Sequence, residues 1–227
     1  MNDISIGVIG AGKWGQALHY ALSQNQEAYI TSRTPRDIKN FVSLDTVLDC
    51  EYLIIAIPAQ QIRAWMKDNF RFNGQKVLVA SKGIEASSGK FLNEIYAEFV
   101  PEVNLGFISG PSFAAEVIKG LPAAIVINSI NEDLYHEFSP FFPEFLKTYY
   151  SEDVIGAEVA GSYKNVLAIA SGICDGLQLG NNARASLISR GLVEMTRFGK
   201  YFGAKKDTFL GLGGAGDLFL TASSTLS

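Results

Sequence analysis

Cysteine and histidine are scarce here, two of each in 227 residues. Cys50 and Cys174 lie in separate apolar segments without ligand spacing, so neither a disulfide framework nor a zinc site is expected. Two buried, reduced thiols suit a reducing compartment. His19 and His136 stand alone on expected helix faces, with no companion for a metal site or a catalytic dyad, and are assigned structural or surface roles. Nor is there a cluster of lysine and arginine. With a net charge of −4, the chain lacks the basic face that nucleic acid demands. The longest apolar runs, such as residues 52–58, are far too short to cross a bilayer. The N-terminus lacks the basic start and apolar core of a signal peptide. These absences leave a cytoplasmic protein with no nucleic-acid partner and no integral membrane association as the expectation.

Apolar residues, by contrast, make up 48% of the chain against 19% charged. A sizeable core can therefore be buried, and global disorder is excluded. Short β-branched or apolar runs at residues 4–9, 28–31, 52–57, 76–80, 105–108 and 123–127 read as buried strands. Helical segments at 14–24, 59–68 and 89–99 separate several of them. Such alternation predicts βαβ units and a doubly wound α/β sheet. Near residue 150 the pattern changes: 154–179, 182–202 and 217 onward read as helices, and no strand is expected after Ser151. Residues 1–150 are thus expected to form a nucleotide-binding domain and 151–227 a helical domain. The segment D-L-F-L-T-A-S-S-T-L-S runs to Ser227 without a cap, so the helical domain is expected to be incomplete at its C-terminus. The aromatics Phe138, Phe141, Phe142, Phe145, Tyr149 and Tyr150 are assigned to packing.

Chemistry concentrates at strand ends. G-A-G-K-W-G at residues 10–15 is a G-x-G-x-x-G turn with a strand before it and a helix after it. Gly10 permits the turn, Gly12 admits a pyrophosphate against the backbone, and Gly15 lets helix and strand pack closely. The helix N-terminus then faces the phosphates, with Lys13 and Trp14 on the cofactor side. After the second strand, where an acid favours NAD, stands Ser32-Arg33-Thr34. NADP(H) is therefore the expected cofactor, with Arg33 over the 2′-phosphate and NAD(H) a second possibility. Lys82, in S-K-G after a strand, occupies the edge where open sheets bind ligands. The turn Gly110-Pro111-Ser112 leads into a helix whose free N–H groups could hold an anion, or could form an ordinary serine-capped turn.

Lys164-Asn165 is the most informative pair. It falls in an apolar, proline-free run, residues 156–172, that reads as a buried helix. A lysine there needs a partner or a task, because an unpaired charge is costly to remove from water. Asp217, after the small-residue run 213–216, is either a helix cap or that partner.

Jointly these motifs resemble the bacterial NAD(P)-dependent glycerol-3-phosphate dehydrogenases. The matching runs are G-A-G-K-W-G, S-K-G at 81–83, G-P-S-F-A-A-E at 110–116, G-S-Y-K-N-V at 161–166, N-N-A-R-A-S-L-I-S-R-G-L-V-E at 181–194 and G-L-G-G-A-G-D-L at 211–218. The resemblance implies a Rossmann-type sheet followed by an all-α domain like that of 6-phosphogluconate dehydrogenase. It implies reduction of dihydroxyacetone phosphate to sn-glycerol 3-phosphate, a phospholipid precursor, by a homodimer. It further implies that Lys164 is the catalytic acid/base with Asp217 as its partner, and that Lys82 joins them. Lys82, Gly110, Ser112, Lys164, Asn165 and Asp217 would contact substrate. Ala114 would lie against the cofactor, together with Lys82 and Gly10, Gly12, Lys13, Trp14, Gly15 and Arg33. Ser227 would match the serine of a Ser-Arg-Asn sequence that grips phosphate in this family. A β-hydroxyacid dehydrogenase with a carboxylate substrate, and a non-catalytic nucleotide-binding protein, are the competing readings.

Overall fold

The computed structural model describes residues 5–223. Its first part is one sheet of seven strands: β1 (Ile6–Ile9), β2 (Ala28–Thr31), β3 (Tyr52–Ile55), β4 (Lys76–Val79), β5 (Leu105–Ser109), β6 (Ala123–Asn128) and β7 (Leu146–Ser151). Their order is β2-β1-β3-β4-β5-β6-β7. All neighbours are parallel except β5 and β6, which run antiparallel. Helices α1 (Lys13–Leu22), α2 (Leu44–Leu48), α3 (Ile62–Asn69), α4 (Leu92–Tyr96), α5 (Ala114–Val117) and α6 (Glu132–Phe138) connect the strands.

The strands are apolar on both faces because both faces are covered, as a parallel sheet requires. Alternate residues divide between two cores. Ile54, Leu78 and Ile108 pack with Leu18 and Phe138 on one face. Leu53, Ile55, Val77 and Val79 pack with Ile62, Met66 and Tyr96 on the other. The chain leaves β1 for β2 on one side and returns to β3 on the other, so a crevice opens at the C-terminal ends of β1 and β3.

After β7 the chain is helical among the described residues: α7 (Val154–Gly176), α8 (Gly180–Tyr201), α9 (Lys206–Leu210), a π-helical turn (Leu212–Gly216) and α10 (Asp217–Ser223). Asp153 starts α7 by accepting the Gly156 N–H at 3.0 Å, and its other oxygen accepts the Lys205 N–H at 2.8 Å. One carboxylate thus ties the start of α7 to the start of α9. Phe209, Met195, Val159 and Leu218 form the core of this layer.

Four expectations need correction. The segment 89–99 is helical only over α4, because Gly89 sits at φ +71° and its N–H closes a turn onto the Glu85 carbonyl. The segment 59–68 begins as a 3₁₀ turn, and α3 proper starts at Ile62. β7 was hidden among the aromatics of 138–150: it is an edge strand in which Leu146 and Thr148 face inward and Lys147 and Tyr149 outward. Finally, α7 is continuously buried only over residues 156–161, and beyond Lys164 it buries just a stripe of Leu167, Ser171 and Cys174. Its other face there exposes Val166, Ile169 and Ile173, with Leu177 just past its end, and no other described element covers them.

Candidate functional site

The turn after β1 has the geometry that its sequence requires. Gly10 has φ +110°, and a Cβ on it would lie 2.5 Å from the Ala56 carbonyl oxygen. A Cβ on Gly15 would collide with the Gly10 carbonyl oxygen. Gly12 differs, since a Cβ there would meet nothing within 4 Å. Two glycines therefore make the turn, and the third leaves open space at the mouth of α1. Open space at a helix start, whose first N–H groups lack intrahelical partners, could admit an anionic group such as a phosphate. Arg33 is exposed just past β2 and has no hydrogen bond or ion pair among the described residues.

Beside this turn lies a cleft of about 340 Å³, lined by Lys13, Trp14, Lys82, Gly110, Ser112, Ala114, Lys164, Asn165 and Asp217 among others. It sits at the C-terminal ends of β4 and β5, where α7 and α10 close over them. Nine of the residues singled out in the sequence thus converge. Gly10, Gly12, Gly15 and Arg33 stand outside this cleft, at the dinucleotide turn and beyond β2. Ser227 lies outside the described residues.

The charged centre is two lysines on one carboxylate. Lys164 Nζ donates to Asp217 Oδ1 at 2.7 Å, and Lys82 Nζ donates to Asp217 Oδ2. The Asp217 side chain is 4% exposed, Lys164 13% and Lys82 24%, so the group is closed toward Asp217 and open along Lys82. Asp217 opens α10, but both its carboxylate oxygens are turned to the lysines: it is a partner rather than a cap. Burial, with the neighbouring Lys82 charge, lowers the Lys164 pKa from 10.5 to about 8, against the upward pull of Asp217. Lys164 is therefore acidic enough to release a proton near neutrality while still holding one at pH 7.

Glycines again decide the approach. Gly161, one turn before Lys164 on α7, lies against the Lys82 stem: a Cβ there would stand 3.2 Å from Lys82 Cγ and Cδ. Gly213 in the π-helical turn would drive a Cβ to 2.7 Å from Ser109 Oγ, so that turn can rest on the end of β5. Gly110, at φ +106°, brings its backbone to β6, with a Cβ position 2.9 Å from the Ala124 carbonyl oxygen. Ser112, which lines the cleft, donates its Oγ–H to the Gly110 carbonyl at 3.3 Å.

Thr221 was not singled out in the sequence. Its Oγ1 accepts from Lys164 at 3.2 Å and donates to the Asp217 carbonyl at 2.7 Å. The signal was present, since Thr221 stands four residues after Asp217 on one helix face. Glu158 was also missed. It lies six residues before Lys164 in α7, 6% exposed, and burial raises its pKa to about 8.

Among the charged residues lining the cleft, Lys13, Lys82 and Lys164 outnumber Asp217. A small anionic ligand fits this balance. The described residues contain no cluster of histidine, cysteine or carboxylate that could hold a metal ion, and no described helix is long and apolar enough to cross a membrane.

Comparison with known proteins identifies similar chains. The model for the C-terminus of NAD-dependent glycerol-3-phosphate dehydrogenase matches residues 153–227, and the model for its N-terminus matches residues 24–135. The glycerol-3-phosphate dehydrogenase (NAD(P)+) of Sulfurimonas denitrificans is 69% identical over 222 residues, covering 98% of this chain and 75% of that protein. Its counterpart from Campylobacter jejuni strain RM1221 is 62% identical, with the same coverage. The crystal structure of glycerol-3-phosphate dehydrogenase from Coxiella burnetii superposes with a TM-score of 0.88 at 33% identity, covering 99% of this chain and 77% of that one.

Proposed function

The chain belongs to the family of NAD-dependent glycerol-3-phosphate dehydrogenases, and from that premise we propose that Lys164, Asp217 and Lys82 form its catalytic centre. The reaction is the NAD(P)H-dependent reduction of dihydroxyacetone phosphate to sn-glycerol 3-phosphate, which feeds glycerophospholipid synthesis. Bound NAD(P)H supplies the hydride for the ketone carbon. As that carbon accepts two electrons, the carbonyl π pair moves onto oxygen, and the Lys164 ammonium donates its proton there to give the hydroxyl. Lys164 is left as the neutral amine and regains a proton from solvent through the open side of the cleft.

The observation that carries this reading is the Lys164–Asp217 pair at 2.7 Å in a cleft lined by both lysines. Asp217 holds the ammonium in place and offsets part of its desolvation. Lys82 adds positive charge where oxygen charge develops. Asn165, Ser112 and the turn at Gly110 offer hydrogen-bonding groups to the substrate's hydroxyl and phosphate. Lys13, Trp14 and Ala114 line the cofactor side next to Gly10, Gly12 and Gly15. Arg33, exposed past β2 and without a partner among the described residues, is the group for a 2′-phosphate, so NADP(H) is preferred over NAD(H). The division into a cofactor domain, 1–150, and a catalytic helical domain, 151–227, follows the same assignment.

The test is the loss of NADPH absorbance on adding dihydroxyacetone phosphate. Lys164→Ala is expected to lower turnover by about 10²–10⁴-fold while NADPH affinity stays unchanged. Near-wild-type turnover in that variant defeats the assignment. Homodimeric assembly and a cytoplasmic location belong to the same proposal. Light scattering that returns the mass of a single chain would refute the first, and recovery in the membrane fraction the second.

A further inference from the structure

Glu158 takes no part in the reaction just described, yet it is a buried carboxyl at the seam between sheet and helices. Its Oε2 accepts the Leu92 N–H at 2.8 Å and the Asn93 N–H at 3.4 Å. These residues open α4, which follows directly on the loop that begins at Lys82. That loop is a closed unit. Ile84 and Phe91 form a β-bridge, the Glu85 N–H donates to the Lys90 carbonyl at 2.9 Å, and the Gly89 N–H to the Glu85 carbonyl at 2.8 Å. Its apolar residues, Ile84 and Phe91, pack with Val159, Ala160 and Tyr163 of α7 rather than with either sheet core.

Helix α7 therefore holds the 82–92 segment at both ends. At one end the Lys82 stem crosses Gly161, where a Cβ would lie 3.2 Å away. At the other, Glu158 takes the two amides of α4. Leu92 is fully buried, so its N–H has no route to water and needs a protein acceptor. Between these anchors the loop is rigid through its own bonds and through two side chains from the 59–69 segment: Gln60 bridges the Ile84 carbonyl and the Ala86 N–H, and Arg63 pairs with Glu85. A shift at Leu92 is thus transmitted to Lys82, whose ammonium must meet Asp217 while Lys164 occupies the other carboxylate oxygen.

We propose that Glu158 is a positioning residue, fixing the 82–92 segment on α7 in the register that sets Lys82 Nζ on the Asp217 carboxylate. The proposal rests on the assignment of Lys82 and Asp217 to the catalytic centre. What anchors the segment is an acceptor oxygen at this place, and a carboxyl or an amide carbonyl serves equally.

The test reads Lys82 directly, without turnover. The full 227-residue chain is labelled with trace acetic anhydride, and each lysine is quantified by peptide mass spectrometry. In Glu158→Ala, Lys82 is expected to label at least about tenfold faster, as loss of a charge-assisted hydrogen bond implies. Exposed Lys147, on β7, serves as the control and stays unchanged. Glu158→Gln, which keeps an acceptor oxygen, is expected to stay within about twofold of wild type. If the alanine variant does not fold, Glu158→Asp, one methylene too short to reach Leu92, replaces it. Unchanged Lys82 labelling overturns the proposal. So does a uniform rise at all lysines, which would make Glu158 a general support of the fold. Equal labelling of the glutamine and alanine variants also overturns it. Turnover of Lys82→Met, measured separately, judges the catalytic assignment; its failure would leave the labelling result standing.

Discussion

Lys164 sets where reduction fails at alkaline pH. The ketone oxygen receives its proton from the ammonium form, so the rate follows the protonated fraction. Burial is the largest influence on this lysine, Lys82 the next, and both act downward; Asp217 acts upward, and the result is a pKa of about 8. For dihydroxyacetone phosphate, kcat/KM is therefore expected to hold level below about pH 8 and fall tenfold per pH unit above it. An ordinary lysine would sustain the rate to above pH 10. Two variants separate the causes by sign. Asp217→Asn removes the acid that supports the ammonium and leaves Lys82 facing it, so the alkaline limb moves toward acid by about 1–3 pH units. Lys82→Met removes the like charge, so the limb moves toward alkali. Initial rates of NADPH absorbance loss between pH 5.5 and 10, at saturating NADPH and substrate well below KM, supply the profiles. The second ionisation of the substrate phosphate, near pH 6 by analogy with phosphorylated side chains, shapes only the acid side. The reasoning is refuted if both variants move the limb the same way, or if neither moves it.

Other expectations follow from single contacts. Gly12→Ala finds open space and an unstrained backbone at φ −71°. It is expected to keep the melting temperature while weakening NADPH binding at least tenfold, by titration calorimetry; unchanged affinity would remove the pyrophosphate from that position. Gly15→Ala meets the Gly10 carbonyl and is expected to lower the melting temperature as well, so equal thermal stability of the two variants contradicts the packing argument. Arg33→Ala is expected to weaken NADPH far more than NADH, and an equal loss for both cofactors denies the 2′-phosphate contact. Glu158 has a folded pKa of about 8, raised by burial above the usual 4.5. Its contribution is complete below about pH 4.5 and lost as pH rises through about 8. Glu158→Gln is therefore expected to melt with wild type at pH 5 and above it at pH 9, and a constant difference across that range would mean the carboxyl does not titrate in the fold.

The sheet was legible because its strands are covered on both faces and so read as unbroken apolar runs between glycine turns. β7 was not, because an edge strand is half exposed and its alternation, Leu146 and Thr148 in, Lys147 and Tyr149 out, is diluted by the preceding aromatics Phe138, Phe141, Phe142 and Phe145, which pack in one of the sheet's cores. The antiparallel entry of β6 leaves no mark in composition, since direction is set by how the short connection through α5 folds back. The length of α4 was misjudged because the left-handed Gly89 and the bridge from Ile84 to Phe91 fold residues 84–91 into a closed turn, whose Ile84 and Phe91 pack in the helical core. The exposed stripe of α7 was misread as buried because sequence periodicity reports an apolar face, not what lies against it.

The site was legible to the extent that each of its residues sits in a motif with a local reason: glycines before a helix, a lysine in an apolar run, an acid after small residues. What a linear reading lacks is the second lysine's destination. Lys82 and Asp217 are 135 positions apart, and nothing near either names the other. They meet because Gly161 removes a side chain from the face of α7 that the Lys82 stem must cross, and because Gly213 lets the turn before Asp217 rest on β5. The lowered pKa of Lys164 then follows from enclosure with a second ammonium. Burial lowers it most and the second ammonium lowers it further, against the upward pull of Asp217, whereas a solvated lysine stays near 10.4. Two ammonium groups sharing one buried carboxylate thus keep net positive charge for a phosphorylated ketone and, together with burial, leave one proton loosely enough held to give away.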